Sequence, residues 1–338
     1  MKVAALDLGS NTFLCLICMV NAETHQVTQV ISDQVEIVRL GQGVSQTGCF
    51  QEEALMRADS CLQRFSADIQ KHQPDYVIAV ATAAARMASN KQRLFEICHK
   101  YHIPLKIISG DQEAEITFAG AISKLQTSPP VSCMGVTPTS ANESQISNSQ
   151  SNFIVIDIGG ASTEIILGTK ENASDNYLLK WKKSFPIGAV KLTEQQIPMQ
   201  PVPNPQLKTQ ELQNSLKDMF QEIDELLSMR KNSKIVAVAG TPTEIAKIMN
   251  HGVWDEHVID GFQITLPMLK QLLQDFMQTS VQEKIQRWHV TPGRADVILA
   301  GVILLTYILE KIGSAELTVS TRGVRYGVAM RSQNLSQN

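Results

Sequence analysis

The 338-residue sequence is 43% apolar and carries 30 basic against 33 acidic residues, a formal charge of −3. It is long enough to bury more than one core, and its near-balanced charge provides no global positive field for nucleic acid or an anionic membrane, so an anionic ligand must be held by local groups. The longest apolar runs, such as Val297 to Leu305, are too short to span a bilayer, and Met1 leads straight into a strand pattern, so a cytoplasmic protein with no nucleic-acid or membrane partner is expected.

The first element is a continuous apolar run, Val3 to Leu6, typical of a strand buried on both faces. It ends in Asp7 and a turn of small residues, Gly9, Ser10, Asn11 and Thr12, before a second apolar run from Phe13 to Val20. Such a turn lets successive backbone N–H groups converge on an anion with no side chain in the way. The six cysteines are irregularly spaced in mostly apolar contexts and read as reduced core thiols. Cys15 and Cys18 form a CxxC, but residues three apart on a strand point to opposite faces and cannot readily share a metal.

A helix is expected from Gln51 to His72, then a strand at Val77 to Val80 and a turn at Ala81 to Ala85. Arg86 follows directly, which puts its guanidinium at a strand's carboxyl end, where a planar fork of donors suits phosphate oxygens and transition-state charge. Further on, Ser109 and Gln112 form a capping box that places Glu113 in the first turn of a helix running to about Leu125, where the helix dipole favours an ionised carboxylate. Taken alone, a surface arginine and a solvated helix-start glutamate are the plainer readings of these two residues.

From Thr127 to Asn152 the sequence is dominated by Ser, Thr, Asn, Pro and Gln and reads as a mobile polar insertion. Immediately after it the opening unit returns: VAALDLGSNT (Val3 to Thr12) is echoed by FIVIDIGGAS (Phe153 to Ser162), each residue 150 positions after its counterpart, followed by a second run from Glu164 to Leu167. Duplication suggests two similar lobes facing one another across a cleft. The turns Gly9 to Thr12 and Gly159, Gly160, Ala161 and Ser162 are then placed to grip one phosphate chain, and Asp7 and Asp157 suit a hydrated magnesium ion that bridges to phosphates. Lys180, Lys182 and Lys183 read as an exposed basic face. A Pro-rich linker (Ile197 to Pro205) precedes an amphipathic helix from Leu207 to Met229, and a buried strand from Ile235 to Ala239 leads to a helix opened by a capping box at Thr241 to Glu244. Alternating strands and helices indicate α/β architecture. After a last strand, Glu316 to Ser320, a tight turn around Gly323 to Gly327 carries Arg325, which either binds phosphate or pins the returning helix.

Four segments, DLGSNTF (Asp7 to Phe13), ISGDQEA (Ile108 to Ala114), DIGGASTE (Asp157 to Glu164) and STRGVRYG (Ser320 to Gly327), together resemble the exopolyphosphatase / guanosine pentaphosphate phosphohydrolase (Ppx/GppA) family, from residue 3 to about 330. The resemblance implies two ribonuclease-H-like lobes of the actin, sugar-kinase and chaperone-ATPase superfamily around a central cleft. Lobe I would comprise residues 1–126 with the segment 326–338 returning to it, the insertion 127–152, and lobe II 153–325. It also implies that Glu113 activates or orients the attacking water, that Arg86 contacts the substrate phosphate, and that Glu164 joins the metal shell, although the strand period could equally aim Glu164 at solvent. Arg39, in RLGQG (Arg39 to Gly43), resembles a further family motif and shares the ambiguity of Arg325. Ala161 departs from the family's usual third glycine, and its methyl group could reshape that phosphate loop. Longer family members carry an additional carboxy-terminal helical region not found in this sequence, so its contribution to long-polymer binding or dimerisation is expected to be missing or replaced.

The expected reaction is magnesium-assisted hydrolysis of a terminal phosphoanhydride in inorganic polyphosphate or a guanosine pentaphosphate-type nucleotide, with a homodimer compatible with it. The absence of GxxxxGK[ST], GxGxxG, HExxH and GxSxG motifs points to positioning and charge stabilisation rather than covalent catalysis. Two alternatives stay open: a kinase of the same superfamily, and a non-catalytic phosphate or nucleotide sensor.

Overall fold

A computed structural model of the chain describes residues 1–125, 151–170, 177–230, 232–332 and 335. The expected mobile insertion therefore lies, apart from Ser151 and Asn152, outside the described residues, as does Cys133.

Two sheets carry the fold. In the first, β1 (Lys2–Leu8), β2 (Thr12–Val20) and β3 (Val27–Ile37) form an antiparallel meander, while β4 (Tyr76–Ala81) and β5 (Leu105–Ile107) continue in parallel on the other side of β1. The second opens with another meander, β6 (Ser151–Ile158), β7 (Thr163–Lys170) and β8 (Tyr177–Phe185). Beside β6 lie β9 (Lys234–Val238), then β10 (Gln263–Thr265) on the outer edge and β11 (Glu316–Val319) between them. The order β8-β7-β6-β9-β11 reproduces β3-β2-β1-β4-β5, so the repeat seen in the sequence is a repeat of topology. Register carries it to single residues, for Asp7 pairs with Leu14 and Asp157 with Glu164.

Continuous apolar runs become central strands because both faces are covered: Val3 to Leu8 are all buried. The helix Glu52–His72 covers one face of the first sheet with Leu55, Leu62 and Phe65. Cys15 joins that core and Cys18 the core on the opposite face, and burial pushes both thiols up to about 12, so neither is a ready metal ligand. Cys61 and Cys98 are buried too, whereas Cys49 is only half-buried and meets the Ser89 hydroxyl at 3.0 Å. The single helix expected from Leu207 to Met229 is two, Pro205–Met219 and Ile223–Met229. Phe220, fully buried with its ring 4.6 Å from that of Phe185, sits at the break and turns the second piece into the core.

The remaining faces of the sheets are covered by exchanged helices. Gly110–Ile122 lays Ala114, Phe118 and Ile122 on Phe153, Val155 and Ile166 of the second sheet. In return, Val324–Met330 lays Val324, Val328 and Ala329 on Val3, Ala5 and Leu16 of the first. The two helices cross where only glycine fits: a Cβ on Gly120 would run into the carbonyl oxygen of Gly323, and one on Gly327 into that of Ile116.

Candidate active site

The amino-terminal hairpin of each sheet delivers its turn to a single cleft of about 560 Å³ between the lobes. Each turn is closed in the same way, Gly9 N to Thr12 O at 3.1 Å and Gly159 N to Ser162 O at 3.0 Å. Gly9, Ser10, Asn11 and Thr12 line the cleft from one side and Gly159, Gly160 and Ser162 from the other. The turns nearly touch, since a Cβ on Gly160 would stand 3.0 Å from Ser10 Cβ. Ser10 Oγ accepts a hydrogen bond from Ala84 N at 3.2 Å, tying the first turn to the short helix Ala83–Met87 that follows β4. Ala161 neither lines the cleft nor adopts a positive φ, so its methyl group costs no backbone strain and does not intrude on the space between the turns.

Four carboxylates converge behind the turns. Asp7 and Asp157 end β1 and β6, and Glu113 enters from the first turn of Gly110–Ile122, whose capping box forms as expected from Ser109 and Gln112. These three line the cleft. Glu164 does not: it is 1% exposed, faces the interior beside Asp157, and accepts the Ser184 hydroxyl at 2.6 Å. Burial is the main reason that Asp7 and Glu164 are raised well above the carboxylate range, with repulsion from Glu113 and Asp157 adding to both. Asp157 is pushed up to about 7 by burial and by Glu113, against a hydrogen bond from the Thr117 hydroxyl at 3.2 Å.

Glu113 is likewise raised by burial, but Arg86 opposes the rise. Arg86 Nη1 donates to Glu113 Oε2 at 2.7 Å and to Ile108 O at 3.0 Å. The arginine does not line the cleft and reaches it only through Glu113. Asp7, Asp157 and Glu164, read from the sequence as metal ligands, do not assemble as a ready three-ligand shell, since no three His, Cys, Asp or Glu side chains among the described residues are placed to hold a metal ion. Two of their buried oxygens, Asp7 Oδ1 and Glu164 Oε2, nevertheless have no hydrogen-bond partner. A cation would favour the ionised form that burial opposes, and the unpartnered Asp7 oxygen in the cleft fits a magnesium ion that keeps most of its waters and needs only one or two carboxylates.

Arg325 lines the cleft, yet its Nε and Nη2 are both spent on Asp33 at 2.8 Å, so it fastens the helix Val324–Met330 to β3. Arg39 lies away from the cleft lining and bonds Gly293 O and Asp296 Oδ1 of the other lobe. The basic face is mostly neutralised locally, with Lys182 on Glu115 and Lys183 on Glu222, both at 2.5 Å, and Lys180 on Asn152 at 2.9 Å.

Part of the lobe II wall is built from residues that no motif in the sequence marks as site residues. Glu244, Lys247, Trp254, Thr291 and Arg294 all line the cleft. The capping box expected at Thr241 is absent, because the helix already begins at Gly240 after Ala239 takes φ +70°, a conformation that non-glycine residues rarely hold. Freed from capping, Glu244 accepts from Thr291 N at 2.7 Å and from Lys247 Nζ at 3.0 Å. The signal was present in the repeat: β9 corresponds to β4, so the residues after it occupy the same strand-end position that singled out Arg86.

A family model described as the Ppx/GppA phosphatase family matches residues 19–133 and 139–335. Exopolyphosphatase 2 of Mycobacterium tuberculosis is 28% identical over 345 residues, covering 97% of this chain and 98% of that protein. A bifunctional 3-dehydroquinate synthase/phosphatase of Fusobacterium nucleatum is 29% identical across 94% of this chain, which spans 44% of that longer protein. Among solved structures, a Ppx/GppA family member from Aquifex aeolicus has a TM-score of 0.73 at 26% identity, over 100% of this chain and 99% of that one. An exopolyphosphatase from Cytophaga hutchinsonii has a TM-score of 0.80 at 22% identity, over 99% and 98%, a likeness of fold.

Proposed function

The chain belongs to the Ppx/GppA phosphatase family, and from that premise we propose that it hydrolyses the terminal phosphoanhydride bond of inorganic polyphosphate or of a guanosine pentaphosphate-type nucleotide, releasing orthophosphate. Its two lobes have the actin-like arrangement of that family. One observation carries the reading: two glycine turns related by the fold repeat face each other across one cleft that also holds Asp7, Asp157 and Glu113. The similarity to a mycobacterial protein named as an exopolyphosphatase supports it.

In this reading the backbone N–H groups of the turns hold the phosphates. Glu113 accepts a proton from, or orients, the water that attacks the terminal phosphorus in line, and the lobes exclude bulk solvent. Magnesium, held by Asp7 and Asp157 with Glu164 behind them, would offset phosphate charge. Burial raises Glu113 above its ordinary value, and the positive charge of Arg86 opposes that rise, favouring the ionised form that a base needs.

Arg86→Ala is expected to raise the Glu113 pKa, so the limb of the kcat profile that reports the base moves to higher pH. At neutral pH kcat should fall by roughly 10- to 100-fold, less than for loss of the base itself. An unmoved limb would show that Arg86 acts elsewhere.

Cation binding has a readout that needs no turnover. Asp157 titrates near 7 in the folded chain, far above its unfolded value. A raised carboxylate contributes stability that is present below the unfolded pKa and lost as pH rises through about 7. Magnesium should reverse that loss by binding the ionised form, so its gain in Tm over chelator-treated protein should be larger at about pH 8 than at about pH 5. Equal gains, or none, in calorimetry would count against the site.

The function itself is tested by phosphate release from polyphosphate and guanosine pentaphosphate side by side, without an acceptor. Transfer only to an added acceptor would make the protein a kinase, and binding without release a sensor.

A further inference from the structure

Each phosphate turn is backed by the segment that leaves the third strand of its own sheet. After β3, Val38 N and Arg39 N donate to Asn11 O at 3.0 and 2.8 Å, and Gly41 N donates to Ser10 O at 2.7 Å. After β8, Ala189 N donates to Gly159 O at 2.9 Å, and Val190 N and Lys191 N donate to Gly160 O at 2.9 and 3.0 Å. A glycine stands at the closest approach in both places: a Cβ on Gly41 would lie 3.0 Å from Ser10 Cβ, and one on Gly188 2.5 Å from Gly159 O. Each turn is thereby fixed to its backing segment by three backbone hydrogen bonds and moves with it.

The backing segments are in turn joined to each other. Glu194, on the helix Ala189–Gln196, spans the lobes: its Oε1 accepts from Gly43 N at 3.0 Å and its Oε2 from Ser45 Oγ at 2.8 Å. The same lobe I segment is held a second time by Arg39 on Asp296 at 2.7 Å. Neither Glu194 nor Arg39 lines the cleft.

We infer that Glu194 is a positioning residue: by bridging the two backing segments it sets the spacing of the two phosphate turns, and so favours ligands long enough to engage both. The inference rests on the reading that both turns hold phosphate. A ligand touching both turns gains from the second contact only as far as their geometry allows simultaneous engagement. Loosening the bridge forfeits that gain, whereas a single phosphate, which uses one turn, is unaffected.

The test is calorimetric titration with orthophosphate and with diimidotriphosphate, whose P–N bridges resist hydrolysis, in magnesium-containing buffer. Glu194→Ala is expected to weaken diimidotriphosphate binding by roughly 10-fold, the worth of two hydrogen bonds of modest strength, and to leave orthophosphate within about twofold, below the worth of one such bond. Glu194→Gln should restore most of the loss, because its amide still accepts from Gly43 N and can donate to Ser45 Oγ. Equal losses for both ligands, or a wild-type preference that Glu194→Ala leaves unchanged, would overturn the inference. A wild-type protein that binds diimidotriphosphate no better than orthophosphate would overturn the two-turn reading itself and the inference with it. Should Glu194→Ala fail to fold, Ser45→Ala removes one of the two bonds from a half-buried position. Its expected loss is roughly threefold and confined to the longer ligand, and no selective loss would overturn the inference.

Discussion

Glu113→Gln is expected to lower kcat by about 10²- to 10⁴-fold, the usual worth of a general base, with substrate affinity unchanged or slightly improved. The amide keeps the size of the side chain and can still accept from Arg86 Nη1, so the local fold is preserved. Removing the Glu113 charge also removes a neighbour that raises Asp7, Asp157 and Glu164, so these become easier to ionise and cation binding is not lost with the base. A polyanionic substrate is moreover repelled by a buried carboxylate in the ground state, which is why affinity should hold or improve. Steady-state kinetics with phosphate release as readout decide the matter. If more than about a tenth of kcat survives, outside the range for a lost base, the proton acceptor is another carboxylate. Asp157 then comes first, because it lines the cleft and Glu164 does not.

Gly327→Ala is expected to destabilise the protein by about 3 kcal/mol, the upper end for forcing atoms into a filled interior. The added methyl would meet the Ile116 carbonyl, a backbone group with no rotamer into which it can retreat. Relief requires the two exchanged helices to separate along their whole crossing, and the Tm should drop by roughly 5 to 10 °C. Gly323→Ala is the matched control, because a Cβ there meets nothing nearer than Val238 Cβ at 3.9 Å. Equal melting of the two variants would show that the crossing can give way.

How much of this could be read from the sequence depended on how local each feature is. The paired hairpins, their Asp ends and the Ser109 capping box are written in contiguous residues, and all of them form. The Arg86–Glu113 pair joins residues whose meeting depends on β4 lying beside β5, and no periodicity signals it. Glu164 was ambiguous because a two-residue strand period gives alternation without saying which face is inside; β8, lying beyond β7, decides it by supplying Ser184. The false cap at Thr241 is a tertiary override, since Ala239 begins the helix early and Glu244 finds a partner in Thr291, 47 residues away. The sequence leaves Arg325 and Arg39 each between binding phosphate and pinning a helix, because the carboxylates they hold, Asp33 and Asp296, lie on distant segments.

The helix exchange also bears on how the protein is made. On a ribosome adding about 5–20 residues per second, β1 and β2 emerge early, yet the helix that covers Val3, Ala5, Leu16 and Cys18 is the last regular element among the described residues. For tens of seconds at that pace, the first sheet carries an apolar face without that helix over it, a surface that invites chaperone binding or self-association. The helix Gly110–Ile122 meanwhile waits for β6, β7 and β8 to be synthesised before it has a sheet to lie on. Neither lobe can therefore finish folding ahead of the other, and a nascent chain halted between them would present two incomplete cores to the cell's proteases.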